Sequence, residues 1–213
     1  MPAPSILTAD DLRQRFAHTG LPADPTAVIT LPGSEQWPPQ LRRQLQSTLT
    51  PAAVLIPVFD HRDAGLSLLL TQRSAELKHH AGQVSFPGGR MEPGDADIAA
   101  TALREAHEEV GIPGAQVDVI GCLSPMPTIT GYAVTPVVGL VDAGVQPVPD
   151  RTEVEFAFEV PLGFLLDRGN RRAVERELYG QTIRMVEFHF DGHRIWGATA
   201  MMIVELIKTL NIK

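Results

Sequence analysis

Apolar residues recur at two spacings along the chain, and the change from one to the other divides it. Thr8-Ala-Asp-Asp11 reads as a capping box opening a short helix with Leu12 and Phe16 on one side. A Pro-punctuated linker spans 20–32. Leu41, Leu45 and Leu49 then recur every fourth residue, predicting a second helix begun near Pro38-Pro39. These segments hold too few apolar residues to close a core, so residues 1–50 are expected to be an extension packed on a main domain of residues 51–213.

From Ala52 onward short β-rich runs take over, at 52–58, 66–72, 83–86, 116–123, 132–140, 154–160 and 182–190, separated by Gly, Pro or Asp. A helical pattern at 97–110 interrupts them, and another at 199–211 closes the chain. Many strands, few helices and no regular βαβ alternation predict an α+β fold, a sandwich around a mixed sheet.

Charge narrows the function. With 18 Lys+Arg against 25 Asp+Glu the net charge is −7, which argues against nucleic acid as a partner. A phosphorylated small molecule remains compatible, because a local basic patch or a bound cation can take up its charge. The first residues lack the basic and apolar regions of a secretory signal, and the apolar runs fall short of the roughly 20 residues of a membrane span. A soluble protein with no membrane partner is expected. The single cysteine, Cys122, can form neither an internal disulfide nor a zinc cage and is expected to pack in a strand; a reducing, cytoplasmic setting fits. No P-loop and no zinc-ligand spacing occur.

The candidate chemistry lies in Phe86-Pro-Gly-Gly-Arg-Met-Glu-Pro-Gly-Asp95 and the helix after it. At 100° per residue, Glu105, Glu108 and Glu109 share an arc of about 100°, while Ala99, Leu103, Ala106 and Val110 centre about 140° away, on the expected core face. The Glu105/Glu109 repulsion alone costs about 0.2–0.5 kcal/mol, and no lysine is interleaved to relieve it. A solvated acidic face would explain three glutamates by themselves. The Gly88-Gly89 turn, Arg104 beside the acids and the helix stop at Gly111 favour a site for a hard divalent cation.

These residues resemble the Nudix box. Arg104-Glu105-Ala106-His107-Glu108-Glu109-Val110-Gly111-Ile112 matches its C-terminal half throughout. The N-terminal half departs from it, because eight residues separate Asp95 from Arg104 where the box has seven, and aspartate stands for glutamate. One extra residue in the loop before the helix accounts for this and makes Asp97 the expected N-cap. Upstream, Leu69-Leu-Thr-Gln-Arg73-Ser-Ala75 and His80-Ala-Gly-Gln83-Val-Ser-Phe-Pro-Gly88-Gly89-Arg90 resemble the additional motif of the coenzyme A pyrophosphatase branch. Segments 130–139, 153–162 and 195–200 are similar to that branch as well.

The resemblance implies an α/β/α sandwich with a central mixed sheet and, as cofactor, Mg²⁺ or Mn²⁺. It implies a hydrolase cleaving the pyrophosphate of CoA, or a CoA derivative, to 3′,5′-ADP and 4′-phosphopantetheine. Glu105 and Glu109, at i and i+4, are the expected principal metal ligands, with Glu108 a third or water-mediated one. Arg104 is expected off both the metal arc and the core, bracing the loop through Asp95 or Glu92. Glu153 or Glu155 is a candidate general base, and Glu105 is a further one. Arg73, Lys78, His79, His80 and Gln83 form the basic cluster beside the motifs; apart from His79, which reads as a solvated loop residue, they are expected with Gly88 and Gly89 to hold substrate phosphates, including the 3′-phosphate of CoA. Tyr132 and Trp196 read as packing aromatics. Competing readings are a Nudix hydrolase of ADP-ribose, dinucleoside polyphosphates or oxidised nucleotides, and a catalytically silent nucleotide- or partner-binding domain. Either a monomer or a homodimer is compatible.

Overall fold

The computed structural model describes residues 7–29, 31, 34, 37–76, 81–178 and 180–210. Its centre is β1 (Thr50–Asp60), which runs parallel to β7 (Tyr132–Val141) over its whole length from Thr50↔Tyr132 to Phe59↔Val141. β5 (Val117–Cys122) and the short β6 (Met126–Pro127) pair antiparallel with β7. On the other side, β2 (Leu66–Arg73) pairs with β1, and β3 (Val84–Ser85) and β8 (Val154–Pro161) pair with β2, all antiparallel. β4 (Gly88–Arg90) joins the β2 side of β1. The mixed sheet expected from the sequence is present.

Alternation along β1 explains the layers, since successive side chains leave opposite faces. Ala53 and Leu55 meet Ile98, Ala102 and Ala106 of α3 (Ile98–Val110), whereas Ala52, Ile56 and Val58 belong to the larger core on the opposite face. That larger core also receives Ala200, Ile203 and Leu206 of α5 (Gly197–Thr209). Helices therefore cover both faces. A separate three-stranded sheet, β9 (Arg172–Leu178), β10 (Gln181–Phe190) and β11 (His193–Ile195), lies in antiparallel order β11-β10-β9. The short helix α4 (Leu162–Leu166) follows β8.

The N-terminal helices α1 (Ala9–Phe16) and α2 (Pro39–Leu45) form where the pattern indicates, α1 with a reciprocal Thr8/Asp11 capping box, but α2 stops at Leu45 and leaves Leu49 beyond the helix. Leu12, Phe16, Leu41 and Leu45 are buried in the larger core, and Arg13 meets Asp118 on β5 at 3.0 Å. Cys122 is buried in its strand, its Sγ donating to the Gly20 carbonyl at 2.9 Å. Among the described residues no helix is long and apolar enough to cross a membrane.

Helix α3 begins and ends on local signals. Asp97 is the N-cap in an extended conformation, accepting from the Ala100 amide at 2.8 Å. Gly111, at φ 67°, takes the left-handed C-cap, and the Ile112 amide reaches the Ala106 carbonyl. Asp97→Ala should therefore cost about 0.5–2 kcal/mol of stability while leaving kcat essentially unchanged, read from thermal melts and initial rates below the transition. A large loss of kcat at unchanged stability would place Asp97 in the site and not in the cap.

Candidate active site

β1 shares one edge between two partners. Val58–Asp60 pair with β2, but Ala52–Val54 pair with β4, and the Leu55 amide donates to the Pro87 carbonyl. At Gly88 only glycine fits at this closeness. A Cβ on Gly88 would stand 2.3 Å from the Ala53 carbonyl oxygen, and one on Gly89 would stand 2.4 Å from Glu105 Oε1. Gly89 thus lays bare backbone directly over a carboxylate of α3.

Arg104 organises the front of that helix. Its Nε and Nη2 form a two-pronged pair with Asp95, each at 3.0 Å, and Nη2 also donates to the Arg90 carbonyl. Asp95 further accepts from the Glu92 amide and the Thr101 hydroxyl. The Arg104 guanidinium accordingly holds the Asp95 carboxyl well below its ordinary range, and Asp95 in turn raises the pKa of Arg104. The expected brace is present despite the extra loop residue. The expectation that Arg104 avoids the acidic arc needs correction, because its Nη1 contacts Glu105 Oε1 and Glu108 Oε2, each at 2.9 Å. The arginine reaches across one turn to both acids.

Glu109 overturns a second expectation. It is 2% exposed and shares the buried face with Ile98, Thr101, Ala102, Ala106 and Val110. The expected core residues Ala99 and Leu103 are only half-buried. The buried arc is thus turned by about 80° toward the glutamates, because α3 packs Ala102 and Ala106 on Ala53 and Leu55. Glu109 Oε1 meets Arg73 Nη1 at 3.4 Å, while its Oε2 and the buried Arg73 Nε have no hydrogen-bond partner. Burial pushes the Glu109 carboxyl up to about 7, with Arg73 and hydrogen bonding from the Gly88 backbone opposing it and the charges of Glu105 and Glu153 adding to it. Glu105 is raised for the same leading reason, against the pull of Arg104.

The segment after β7 brings Glu153 to this group. Val148 and Asp150 donate their amides to the carbonyls of Val110 and Glu109, and the Ser74 amide donates to the Glu153 carbonyl at 2.8 Å. Glu153 is exposed, and its charge is felt by both Glu105 and Glu109. Glu155, the other candidate base, accepts instead from Gln72 Nε2 at 3.3 Å on β2. The Gln83 carbonyl accepts from the Arg73 amide at 3.0 Å, which fixes the motif loop to the end of β2. Lys78, His79 and His80 lie outside the described residues.

The acids suit a hard divalent cation by donor chemistry: three carboxylates on adjacent turns, one with a buried oxygen left without a partner. Among the described residues no three acidic, His or Cys side chains are gathered closely enough to hold a metal as they stand. The arginines give the reason, Arg104 drawing Glu105 and Glu108 to itself and Arg73 facing Glu109. Rotation of the carboxylates away from Arg104 would free their oxygens for a cation.

Beside the acids a cleft of about 650 Å³ opens over the opposite face of the sheet. Arg73, Gln83 and Gly88–Arg90 border it at the end nearest α3, and Leu31, Trp37, Leu41 and Leu45 form a wall from the N-terminal segment. Tyr132 and Trp196 also border the cleft and are each 36% exposed, so they are not the packing aromatics expected from the sequence. The contributions of the N-terminal segment and of Arg176 to this wall carry no signal in the sequence, because they come from segments without a motif.

The buried Glu109 gives a signed pH dependence. Its folded pKa of about 7 lies above the ordinary 4.5, so the folded state holds the proton to higher pH. Stability from this residue is full below about 4.5 and is lost as pH rises through about 7. The cost above that pH is about 3 kcal/mol. In chelator, Glu109→Gln should melt several degrees above the wild type at pH 8 and close to it at pH 5. Equal shifts at both pH values would mean that Glu109 is not a strained buried acid.

The chain matches the NUDIX domain family model over residues 49–179. Relatives from Escherichia coli O1:K1 / APEC and Shigella boydii serotype 18, both described as the uncharacterized Nudix hydrolase NudL, are 42% identical over 175 residues, covering 82% of this chain and 90% of theirs. Among solved structures, the MutT protein of Methanosarcina mazei Go1 is 19% identical, with a TM-score of 0.48 over 76% of this chain and 94% of that one. The Nudix hydrolase RenU of M. smegmatis is 24% identical, with a TM-score of 0.46 over 55% of this chain and 73% of that one. Family match and sequence identity together place this chain in the Nudix hydrolase family of pyrophosphatases, enzymes that generally use divalent metals such as Mg²⁺ or Mn²⁺.

Proposed function

We propose that the protein cleaves the pyrophosphate of coenzyme A, or of a CoA derivative, to 3′,5′-ADP and 4′-phosphopantetheine. The supporting observation is the position of Arg73. It belongs to the upstream motif similar to the CoA pyrophosphatase branch, borders the cleft, and also meets Glu109 of the carboxylate helix. A substrate with its diphosphate at Arg73 and Gly88–Arg90 has both the acids and a long, largely apolar cleft within reach. Leu31, Trp37, Leu41 and Leu45 of the N-terminal segment act in this reading as a cleft wall packed on the main domain.

Glu105 and Glu109, with Glu108 at the exposed edge, would hold Mg²⁺ or Mn²⁺, which when bound supplies charge neutralisation for the diphosphate and acidifies water. Arg104, pinned by Asp95, sets the rotamers of Glu105 and Glu108. Arg73 binds the diphosphate, displaced toward it from Glu109. This moves Arg73 away from the role of holding the 3′-phosphate. Glu153 takes the proton from the water that attacks one phosphorus in line, a role its proximity to Glu105 and Glu109 favours over Glu155.

Incubation with CoA and millimolar Mg²⁺ or Mn²⁺ should release 3′,5′-ADP and 4′-phosphopantetheine, resolved by chromatography, and EDTA should stop it. Hydrolysis of ADP-ribose or dinucleoside polyphosphates with CoA untouched would replace this reading by the other Nudix activity. No turnover of any of these would favour the silent binding domain. Within the site, Gly89→Ala should leave the fold intact, since its Cβ meets only the end of the Glu105 side chain. It should lower kcat by about tenfold or more, or at least ~1.4 kcal/mol of barrier. Gly88→Ala strikes backbone and should destabilise the fold itself.

A further inference from the structure

Glu187 on β10 is 6% exposed, and a carboxylate so buried must be paired. Three basic side chains meet it. Arg194 approaches through Nε at 2.8 Å and Nη2 at 2.7 Å, His189 Nε2 lies at 2.7 Å, and Arg176 Nη2 lies at 3.6 Å. Strand alternation puts Glu187 and His189 on the same face of β10 as Ile183 and Met185. The register sets Arg194 opposite His189 and Arg176 opposite Ile183, so all these side chains share one face of the small sheet.

Part of that face walls the cleft, and Arg194 and Glu187 lie beside it. Arg176, Ile183 and Met185 border it, as does Trp196, whose ring lies 5.0 Å from the Arg194 guanidinium carbon. Two arginines, charged at any working pH, share one carboxylate, so the cluster carries an excess positive charge even with His189 neutral. Glu177, the one acidic residue bordering the cleft among the described residues, follows Arg176 directly, so by alternation its side chain leaves the other face of β9. Pinning by Glu187 restricts both guanidinium groups before any ligand arrives, which lowers the ordering cost of binding. The chain has a net charge of −7, so a preorganised cationic cluster at the border of an apolar cleft is not explained by solubility.

We propose that Arg176 and Arg194, positioned by Glu187, form a second anion subsite that receives a phosphate monoester on the nucleotide half of the substrate, apart from the diphosphate at Arg73. The proposal rests on the CoA reading only for the identity of that phosphate. The nucleotides 3′,5′-ADP and 5′-AMP differ by the 3′-phosphate alone, so titration calorimetry of each against the metal-free protein isolates the subsite. Wild type should bind 3′,5′-ADP about tenfold or more tighter than AMP. In Arg176→Gln and Arg194→Gln the preference should fall below about threefold, with AMP affinity little changed, and Arg194→Lys should restore part of it. Because Arg194→Gln leaves Glu187 less well paired, far-UV circular dichroism checks its fold; Arg176, the more exposed partner, decides the matter if Arg194→Gln is unfolded. Equal binding of the two nucleotides by wild type overturns the subsite. So does a preference that survives in Arg176→Gln and disappears in Arg73→Ala. Preference for 3′,5′-ADP without hydrolysis of CoA keeps the subsite and removes the CoA reading; hydrolysis of CoA without the preference does the reverse.

Discussion

The site depends on a carboxylate buried at an energetic loss. Glu109 lies among the core residues of α3 with one oxygen unpartnered, and Arg73, at 3.4 Å, and the Gly88 backbone offset its charge only in part. A helix selected only for packing would carry an apolar residue there. A bound cation would resolve the conflict, as would the proton that the raised pKa retains. Function is thus written into the fold as local strain, borne by a core that is otherwise apolar on both faces of the sheet.

The surrounding structure serves this arrangement. β1 gives up its pairing with β2 near Ala52–Val54 and accepts β4 in its place, which brings two glycines over the helix. Arg104 ties the loop before α3 to its second turn through Asp95, and the same guanidinium offsets the repulsion between Glu105 and Glu108. The segment 148–153 clamps the last turn and places Glu153 beside the acids. On the far side of the sheet, Arg73 and Gly88–Arg90 are shared between the acids and the cleft, so the two meet at one edge.

Much of this was legible in the sequence, for identifiable reasons. The box residues lie close together in the chain, so spacing alone put Glu105, Glu108 and Glu109 on adjacent turns and Asp97 at the cap. Periodicity failed for the orientation of α3, because it assumes that apolar residues mark the buried face. Here Glu109 occupies that face, and Leu103 is left half-buried. Strand β9 was missed for a related reason: Arg-Ala-Val-Glu-Arg-Glu-Leu on an outer strand of the small sheet is mostly exposed and carries little apolar alternation. The cleft was not legible at all. Its walls come from residues near 31–45, 127–134, 176–185 and 196–202, and only the fold brings them together.

If the carboxylates of α3 are a cation site relieved by binding, the cation must stabilise the folded protein. The direct measurement is a thermal melt at pH 8 across a Mg²⁺ titration, for wild type and Glu109→Gln. Binding to the folded state alone adds about 2.7 kcal/mol at a hundredfold excess over Kd, so wild-type Tm should climb by several degrees and then follow the logarithm of concentration. Glu109→Gln should begin higher and respond little. A wild-type Tm indifferent to millimolar Mg²⁺ and Mn²⁺ would contradict the account, leaving Glu109 a buried acid with no cation to explain it.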